Sequence, residues 1–224
     1  MIYLFLKRSL DLILAFIALF FLFPLLIIVI ITLLLTGEGE VFYLQERLGF
    51  KNEKFKIIKF ATMMKNSPNI GSGSLTLRDD PRVLPFGKFL RKSKINELPQ
   101  IFNVIIGNMS IVGPRPQMQI DFDKFPKNSR NRIYNSKPGI TGIGSIVFRD
   151  EENWISNHPG DKHLFYRDMI APYKTELELW YLNKSSLFVD LVLIFITAWV
   201  IVFPKSNLVY KIFKSLPKRP SHLL

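Results

Sequence analysis

The chain has no cysteine among its 224 residues. That excludes a disulfide scaffold and any thiolate-based zinc or redox site. Histidine is scarce as well: His158, His163 and His222 share no ligand spacing, so no metal role falls to them. Acidic residues are in deficit, 18 Asp+Glu against 30 Lys+Arg, and the formal charge of +12 calls for anionic partners such as phosphate, nucleic acid or a membrane surface. Several chemical signatures are missing too. There is no Gly-x-Ser-x-Gly, no P-loop spacing and no clean dinucleotide fingerprint, which leaves serine hydrolysis, ATP hydrolysis and NAD chemistry without support. Nucleic acid is not an expected partner, because the basic residues flank apolar segments and form no known reader module.

What the chain does have is apolar material: 48% hydrophobic residues and 20 Phe. So much of it rules out disorder and suits one globular domain with appendages. From Leu12 to Thr36 there is no charge, a run roughly 37 Å long as a helix and long enough for a bilayer. It is followed by Thr-Gly-Glu-Gly-Glu, not by the small-residue exit of a cleaved signal peptide. Pro24 in its middle predicts a kink. Lys7 and Arg8 precede the run, and Arg47, Lys51, Lys54, Lys56 and Lys59 follow it. Basic flanks at both ends favour a helix that enters the membrane, bends at Pro24 and returns to the same face, over a kinked signal anchor that crosses. Asp11 is expected to pair with Lys7 or Arg8. A second apolar stretch, Leu187 to Phe203, contains Asp190 and is short for a span, so it reads as an interfacial or core helix. The basic tail beyond it, with Leu208, Ile212 and Phe213 interleaved, reads either as a lipid-surface segment or as a frayed end.

The 150 or so residues between these stretches hold the chemistry. Val41 to Leu44 and Phe55 to Phe60 read as strands, and Asn66 to Ser74 as a loop. One helix is expected to open at Pro81-Arg82, with Val83, Phe86 and Leu90 inward. Another is expected from Ile95 to Gly107, with Asn96 as its N-cap and Pro99 in its first turn. Two prolines flank Arg115 in Val112-Gly113-Pro114-Arg115-Pro116, fixing the direction of a guanidinium that suits phosphate, although such a turn is often only structural. Three glycines in Lys137 to Gly144 are expected to let backbone approach a ligand. Trp154 and Trp180 are read as packing residues.

Taken together, these segments resemble the bacterial sugar transferases, small monotopic phosphoglycosyl transferases acting on polyprenyl phosphate. The matching pieces are Lys7-Arg8-Ser9-Leu10-Asp11, Pro24, Gln45-Glu46-Arg47-Leu48-Gly49, Phe55 to Phe60, Asp80-Pro81-Arg82 and Gly87 to Lys92. The most specific run is Asn96-Glu97-Leu98-Pro99-Gln100-Ile101-Phe102-Asn103-Val104. It leads into Gly107-Asn108-Met109-Ser110, Val112 to Pro116 and Lys137 to Gly142, so the resemblance covers roughly residues 3 to 200 in family order.

The resemblance implies an α+β, mostly helical fold: a re-entrant membrane helix in 1–38, a catalytic domain in 39–204 that includes the interfacial helix 187–203, and a basic amphipathic tail in 205–224. It implies transfer of a sugar-1-phosphate from a nucleoside diphosphate sugar, usually a UDP-sugar, to undecaprenyl phosphate, with release of UMP and a need for Mg²⁺. The implied setting is the cytoplasmic face of the bacterial inner membrane, with membrane lipid as a partner and the oligomeric state, homodimer included, left open. Carried over residue by residue, it assigns Glu97 and Asn96 to catalysis, Glu97 to the metal, and Lys59, Arg82, Arg91, Arg115 and Arg149 to phosphate. Lys7, Arg8, Asp11 and Pro24 belong to the membrane anchor. One departure stands out: the family pair is Asp-Glu, its Asp being the covalent nucleophile, and here the pair is Asn96-Glu97. An amide cannot take that role. Either Glu97 has taken over, or transfer is direct, or the protein is an impaired copy acting as a membrane-bound binding or scaffold protein.

Overall fold

The computed structural model describes residues 2–67 and 80–220. The apolar run lies within one unbroken helix, α1 (Ile2–Leu35), which continues through Pro24. At about 1.5 Å per residue its 34 residues extend about 50 Å. Its buried positions, Lys7, Asp11, Ala15, Leu26, Val29 and Leu33, recur at helical spacing and form one stripe along its length. The opposite face is not polar, as it would be on a soluble amphipathic helix. Phe16, Phe20, Phe23, Ile28 and Ile31 are all at least half exposed there.

Two small sheets carry the domain. The strands β1 (Phe42–Leu48) and β2 (Lys54–Phe60) pair antiparallel with Tyr43 opposite Lys59, Gln45 opposite Ile57 and Arg47 opposite Phe55. The first helix after them, α2 (Pro85–Lys92), begins later than expected. Pro81 lies in a turn and Val83 bridges to Met63, so Pro85 takes the helix-opening position instead. The expected single helix at 95–107 is two pieces: a 3₁₀ turn over Ile95–Glu97, entered through Lys94 at φ 61°, and α3 (Gln100–Ile106). Asn96 therefore caps nothing; Pro99 occupies the position before α3. Asn103 docks α3 onto β2, its Oδ1 accepting from Ile58 N at 2.9 Å and its Nδ2 donating to Lys56 O at 2.8 Å.

The second sheet is parallel, β3 (Ser110–Val112) with β4 (Gly139–Thr141). Here Gly113, Gly139 and Gly142 pack backbone on backbone. A Cβ on Gly139 would lie 2.1 Å from Gly113 N, so the two segments meet only because both residues lack one. Most of the core sits beyond this sheet. It joins α4 (Gln119–Phe122), α5 (Lys127–Ile133), α6 (Ile143–Val147), α7 (Glu151–Asn157), α8 (Lys162–Phe165), a π-helical turn at Tyr166–Ile170, α9 (Ala171–Lys184) and α10 (Leu187–Val202).

Ser186 caps α10 by accepting from Val189 N, as the sequence pattern of Ser before an apolar run dictates. One face of α10, Val189, Leu193, Ile196 and Val200, is core; Phe188, Leu191 and Phe195 face outward. The tail is not frayed. Val209 and Phe213 are buried, Trp180 meets Phe213 edge-on with centroids 5.0 Å apart, and Tyr173 Oη donates to Pro217 O. Trp154 likewise packs on Phe148. The expected loop at Asn66 to Ser74 lies, from residue 68 on, outside the described residues, as does His222.

Candidate active site

Antiparallel pairing places directly opposed residues on one sheet face, so Lys59 of β2 shares a face with Gln45 and Arg47 of β1. The 3₁₀ turn presents Glu97 to that face, and the proline-flanked loop after β3 brings Arg115 from the other side. Lys59 Nζ lies 3.2 Å from Glu97 Oε1, and Arg115 Nη2 lies 3.3 Å from the same oxygen. Lys59 and Glu97 are 15% and 19% exposed, whereas Arg115 is 40% exposed and so reachable by a ligand. Arg47, held by Gln45 Oε1 at 2.6 Å, completes the cationic wall.

Burial alone would raise the Glu97 pKa, but Lys59, Arg115 and Lys94 outweigh it and hold the carboxyl well below the usual range. Glu97 is thus ionised throughout the physiological window. Burial pushes Lys59 down to about 8; Glu97 opposes that shift, and Arg47 and Arg115 add to it. Burial also lowers the Arg47 pKa, with Arg115 contributing. Next to this ionised pair sits Asn96, buried, with no hydrogen-bond partner on Oδ1. Such an atom costs free energy unless something meets it.

A groove of about 1780 Å³ runs past these residues. Its lining includes Ala18, Leu22 and Leu33 of α1 together with Asn96, Glu97, Lys59 and Arg115. Arg91 and Arg149 line it as expected, but neither touches Glu97, and Arg149 donates to Val200 O. Arg82 needs correction as a phosphate ligand. Its fork is taken by Asp80, Nε to Oδ1 at 2.8 Å and Nη2 to Oδ2 at 2.6 Å, in a buried pair. Among the described residues, no three His, Cys, Asp or Glu side chains converge as a metal cluster.

The N-terminal charges also turn inward. Asp11 does not pair with Lys7 or Arg8. It accepts from Ser110 Oγ at 2.8 Å and from Ile111 N at 2.9 Å, because the start of β3 offers two donors at that point of α1. Lys7 reaches Asp190 of α10 at 2.7 Å, and Arg8 donates to Val104 O and Ile105 O at the C-terminal end of α3. These three residues anchor the helix to the domain. Sequence reasoning missed Arg47 as a site residue. The signal was its strand register opposite Phe55, two positions from the partner of Lys59's neighbour Ile57, but that register is not fixed without the pairing.

Residues 2–204 match the family model for bacterial sugar transferase. The exopolysaccharide production protein ExoY of Sinorhizobium fredii is 33% identical over 206 residues, covering 85% of this chain and 83% of that protein. An Aeromonas hydrophila UDP-N-acetylgalactosamine-undecaprenyl-phosphate N-acetylgalactosaminephosphotransferase is 33% identical over 198 residues, 88% of this chain and 43% of that protein. A Xanthomonas campestris UDP-glucose:undecaprenyl-phosphate glucose-1-phosphate transferase is 34% identical over 196 residues, 86% of this chain and 38% of that protein. The chain therefore spans most of the first relative and less than half of the other two.

Proposed function

The chain belongs to the bacterial sugar transferase family and is a sugar-1-phosphate transferase, and we propose that it moves a sugar-1-phosphate from a UDP-sugar to undecaprenyl phosphate at the cytoplasmic face of the bacterial inner membrane. The groove carries this reading. One continuous cavity joins apolar residues of α1 to an ionised carboxylate ringed by Lys59, Arg115 and Arg47. A ligand with a hydrocarbon tail and a phosphate head matches that combination of apolar and cationic lining. The placement of α1 supports a re-entrant helix. Both ends of its buried stripe, Lys7 and Leu33, pack on the same domain, while the face away from that domain is apolar. A helix crossing the bilayer would carry those two ends to opposite sides.

In the chemistry we propose, Glu97 attacks the phosphorus attached to the sugar. The bond to UMP breaks, UMP leaves, and the sugar phosphate stays on the carboxylate. An oxygen of undecaprenyl phosphate then attacks the same phosphorus and releases Glu97. Lys59 and Arg115 keep Glu97 deprotonated, and Arg115, Arg47 and Lys59 offset the charge of two converging phosphates. The residues fit a magnesium ion that arrives with the donor. Mg²⁺ commonly takes one or two protein oxygens, with phosphate and water for the rest. The Glu97 carboxylate and the unpaired Asn96 carbonyl oxygen are of that kind. When bound, the ion neutralises pyrophosphate charge.

The test is UMP release by detergent-purified protein with undecaprenyl phosphate, Mg²⁺ and a panel of UDP-sugars. Release that depends on lipid and is abolished by EDTA is the expected result; silence with every sugar overturns the reading. Asn96 keeps a second reading in view, that of an impaired copy which binds without turnover. It predicts that the protein as it stands is silent and that Asn96→Asp is active.

A further inference from the structure

Arg115 sits in a loop whose backbone hydrogen bonds can be accounted for completely. Between Gly113 and Gln117 the two prolines, Pro114 and Pro116, have no N–H to give. Of the three remaining donors, Gly113 N–H goes to Thr141 O at 2.9 Å, which is sheet pairing. The other two go to side chains. Arg115 N–H donates to Glu178 Oε1 at 3.4 Å, and Gln117 N–H donates to Tyr134 Oη at 2.8 Å. Tyr134 then donates its own proton to Arg115 O at 2.9 Å. Both backbone groups of Arg115 are thus held by side chains from distant elements, Tyr134 just after α5 and Glu178 in the middle of α9.

Both holders are built into the core. Tyr134 is fully buried, with its ring against Phe122 at 5.2 Å. Glu178 is 5% exposed, and its other oxygen, Oε2, has no partner. Room for Glu178 comes from Gly144, where a Cβ would lie 2.3 Å from Glu178 Oε1. A buried carboxyl in contact with a backbone amide and a bare glycine is a costly way to pack a core. Nothing in the fold requires it at that point, since the loop is already tied to β4 through Gly113 and, by Gly139 N to Pro114 O at 2.9 Å, at its next residue.

We propose that Tyr134 and Glu178 are positioning residues, which clamp the Arg115 backbone so that its guanidinium meets Glu97 and the phosphate group beside it. The proposal rests on the sugar-phosphate transfer reading for its consequence, but the clamp is a statement about this loop alone. The physical reason is geometric. The side-chain reach of Arg115 is long, and only a fixed Cα lets its flexible stem deliver two nitrogens to one place. Burial holds the Tyr134 phenol well above its usual pKa, so it keeps the proton it donates.

The test combines hydrogen exchange with a double-mutant cycle on the full-length protein. Tyr134→Phe keeps the ring and removes the Tyr134 half of the clamp, the bonds to Arg115 O and Gln117 N. Amide exchange in the peptide covering 112–118 should rise at least 10-fold in this variant. With UDP-glucose and UDP-N-acetylgalactosamine as donor probes, its kcat should fall about 10-fold, with KM for the lipid unchanged. In an Arg115→Lys background the same change should cost less than 2-fold, because the clamp no longer has a fork to aim. Glu178→Gln, which keeps an acceptor for the Arg115 amide, should recover most of what Glu178→Leu loses. A full 10-fold loss in both backgrounds would make the two residues merely structural and overturn the proposal. So would unchanged exchange in Tyr134→Phe, a readout that needs no substrate. Raised exchange with no UMP release from the parent protein would leave the clamp standing and sink the transfer reading instead.

Discussion

Among the clusters of buried charge in the described residues, those at Asp190 and at Glu97 are built by opposite rules. At the junction of α1 and α10, Asp190 is saturated: Tyr181 donates to Oδ1 at 2.7 Å, while Lys7 and Tyr3 donate to Oδ2 at 2.7 and 3.0 Å. Lys7 spends its remaining reach on Val112 O at 2.9 Å. At Glu97 the reverse holds. Both cationic contacts fall on Oε1 at 3.2 and 3.3 Å, Asn96 Oδ1 is orphaned alongside, and Glu178 Oε2 is orphaned behind the loop that presents Arg115. A saturated cluster has nothing left to offer a ligand and works as a fastener. An undersaturated one carries a desolvation cost that a ligand can relieve, and that is where chemistry is placed.

The contrast breaks most sharply at its two carboxylates. Glu97→Gln should reduce UMP release by about 10³-fold or more in a protein that still folds, although the unfolding midpoint falls because buried Lys59 loses its counter-charge. Retained turnover would remove Glu97 from the mechanism and make it a second fastener. Asp190→Ala should act on stability. Stranding Lys7 in the interior should cost about 3–5 kcal/mol, read as a fall of roughly 10 °C in the unfolding midpoint. A shift below about 2 °C would mean that the junction holds little.

Glu178 offers a subtler test, one of pH. Burial raises its pKa to about 8, opposed by the Arg115 amide and by the charges of Lys174, on its own helix, and Arg115; Tyr134 also faces it. The folded protein therefore holds a proton that the unfolded chain releases near 4.5. Stability on this account falls as pH rises from about 4.5 to 8 and levels beyond, by at most about 4–5 kcal/mol. Glu178→Gln should flatten that decline in a series of unfolding midpoints from pH 5 to 8.5; an unchanged slope would place the proton elsewhere. The smallest effect is expected at Asn96→Asp. A second carboxylate beside Glu97 meets ample positive charge, and turnover should change by less than about 10-fold. A gain from silence would instead identify residue 96 as the missing nucleophile.

Much of this was legible in the chain itself. Alternation at Phe55-Lys56-Ile57 located β2, and the apolar stretch Leu187 to Phe203 located α10 almost to the residue. Asn96, Glu97, Lys59 and Arg115 were singled out from the chain, and the structure brings Lys59 and Arg115 onto Glu97. The misses have a common cause. Arg82 resembled a phosphate ligand until Asp80, two residues away, proved to occupy its fork. The close approach of Gly139 and Gly142 to the Gly113 backbone, and of Gly144 to Glu178, is set by the fold and leaves no trace in local sequence. Tyr134 and Glu178 carried no signal at all, because an isolated Tyr after a helix or Glu within one reads as surface or core until the loop it faces is known.

The sequence by itself settled the helix with no polar face, the absence of thiol chemistry and the identity of the motif around Glu97. Each of these depends only on residue type and near-neighbour spacing. Which charges find a full set of partners and which do not was decided by the tertiary structure alone. The physical reason is that the partners lie far apart in the chain: Lys7 and Asp190 are separated by 183 residues, Arg115 and Glu178 by 63.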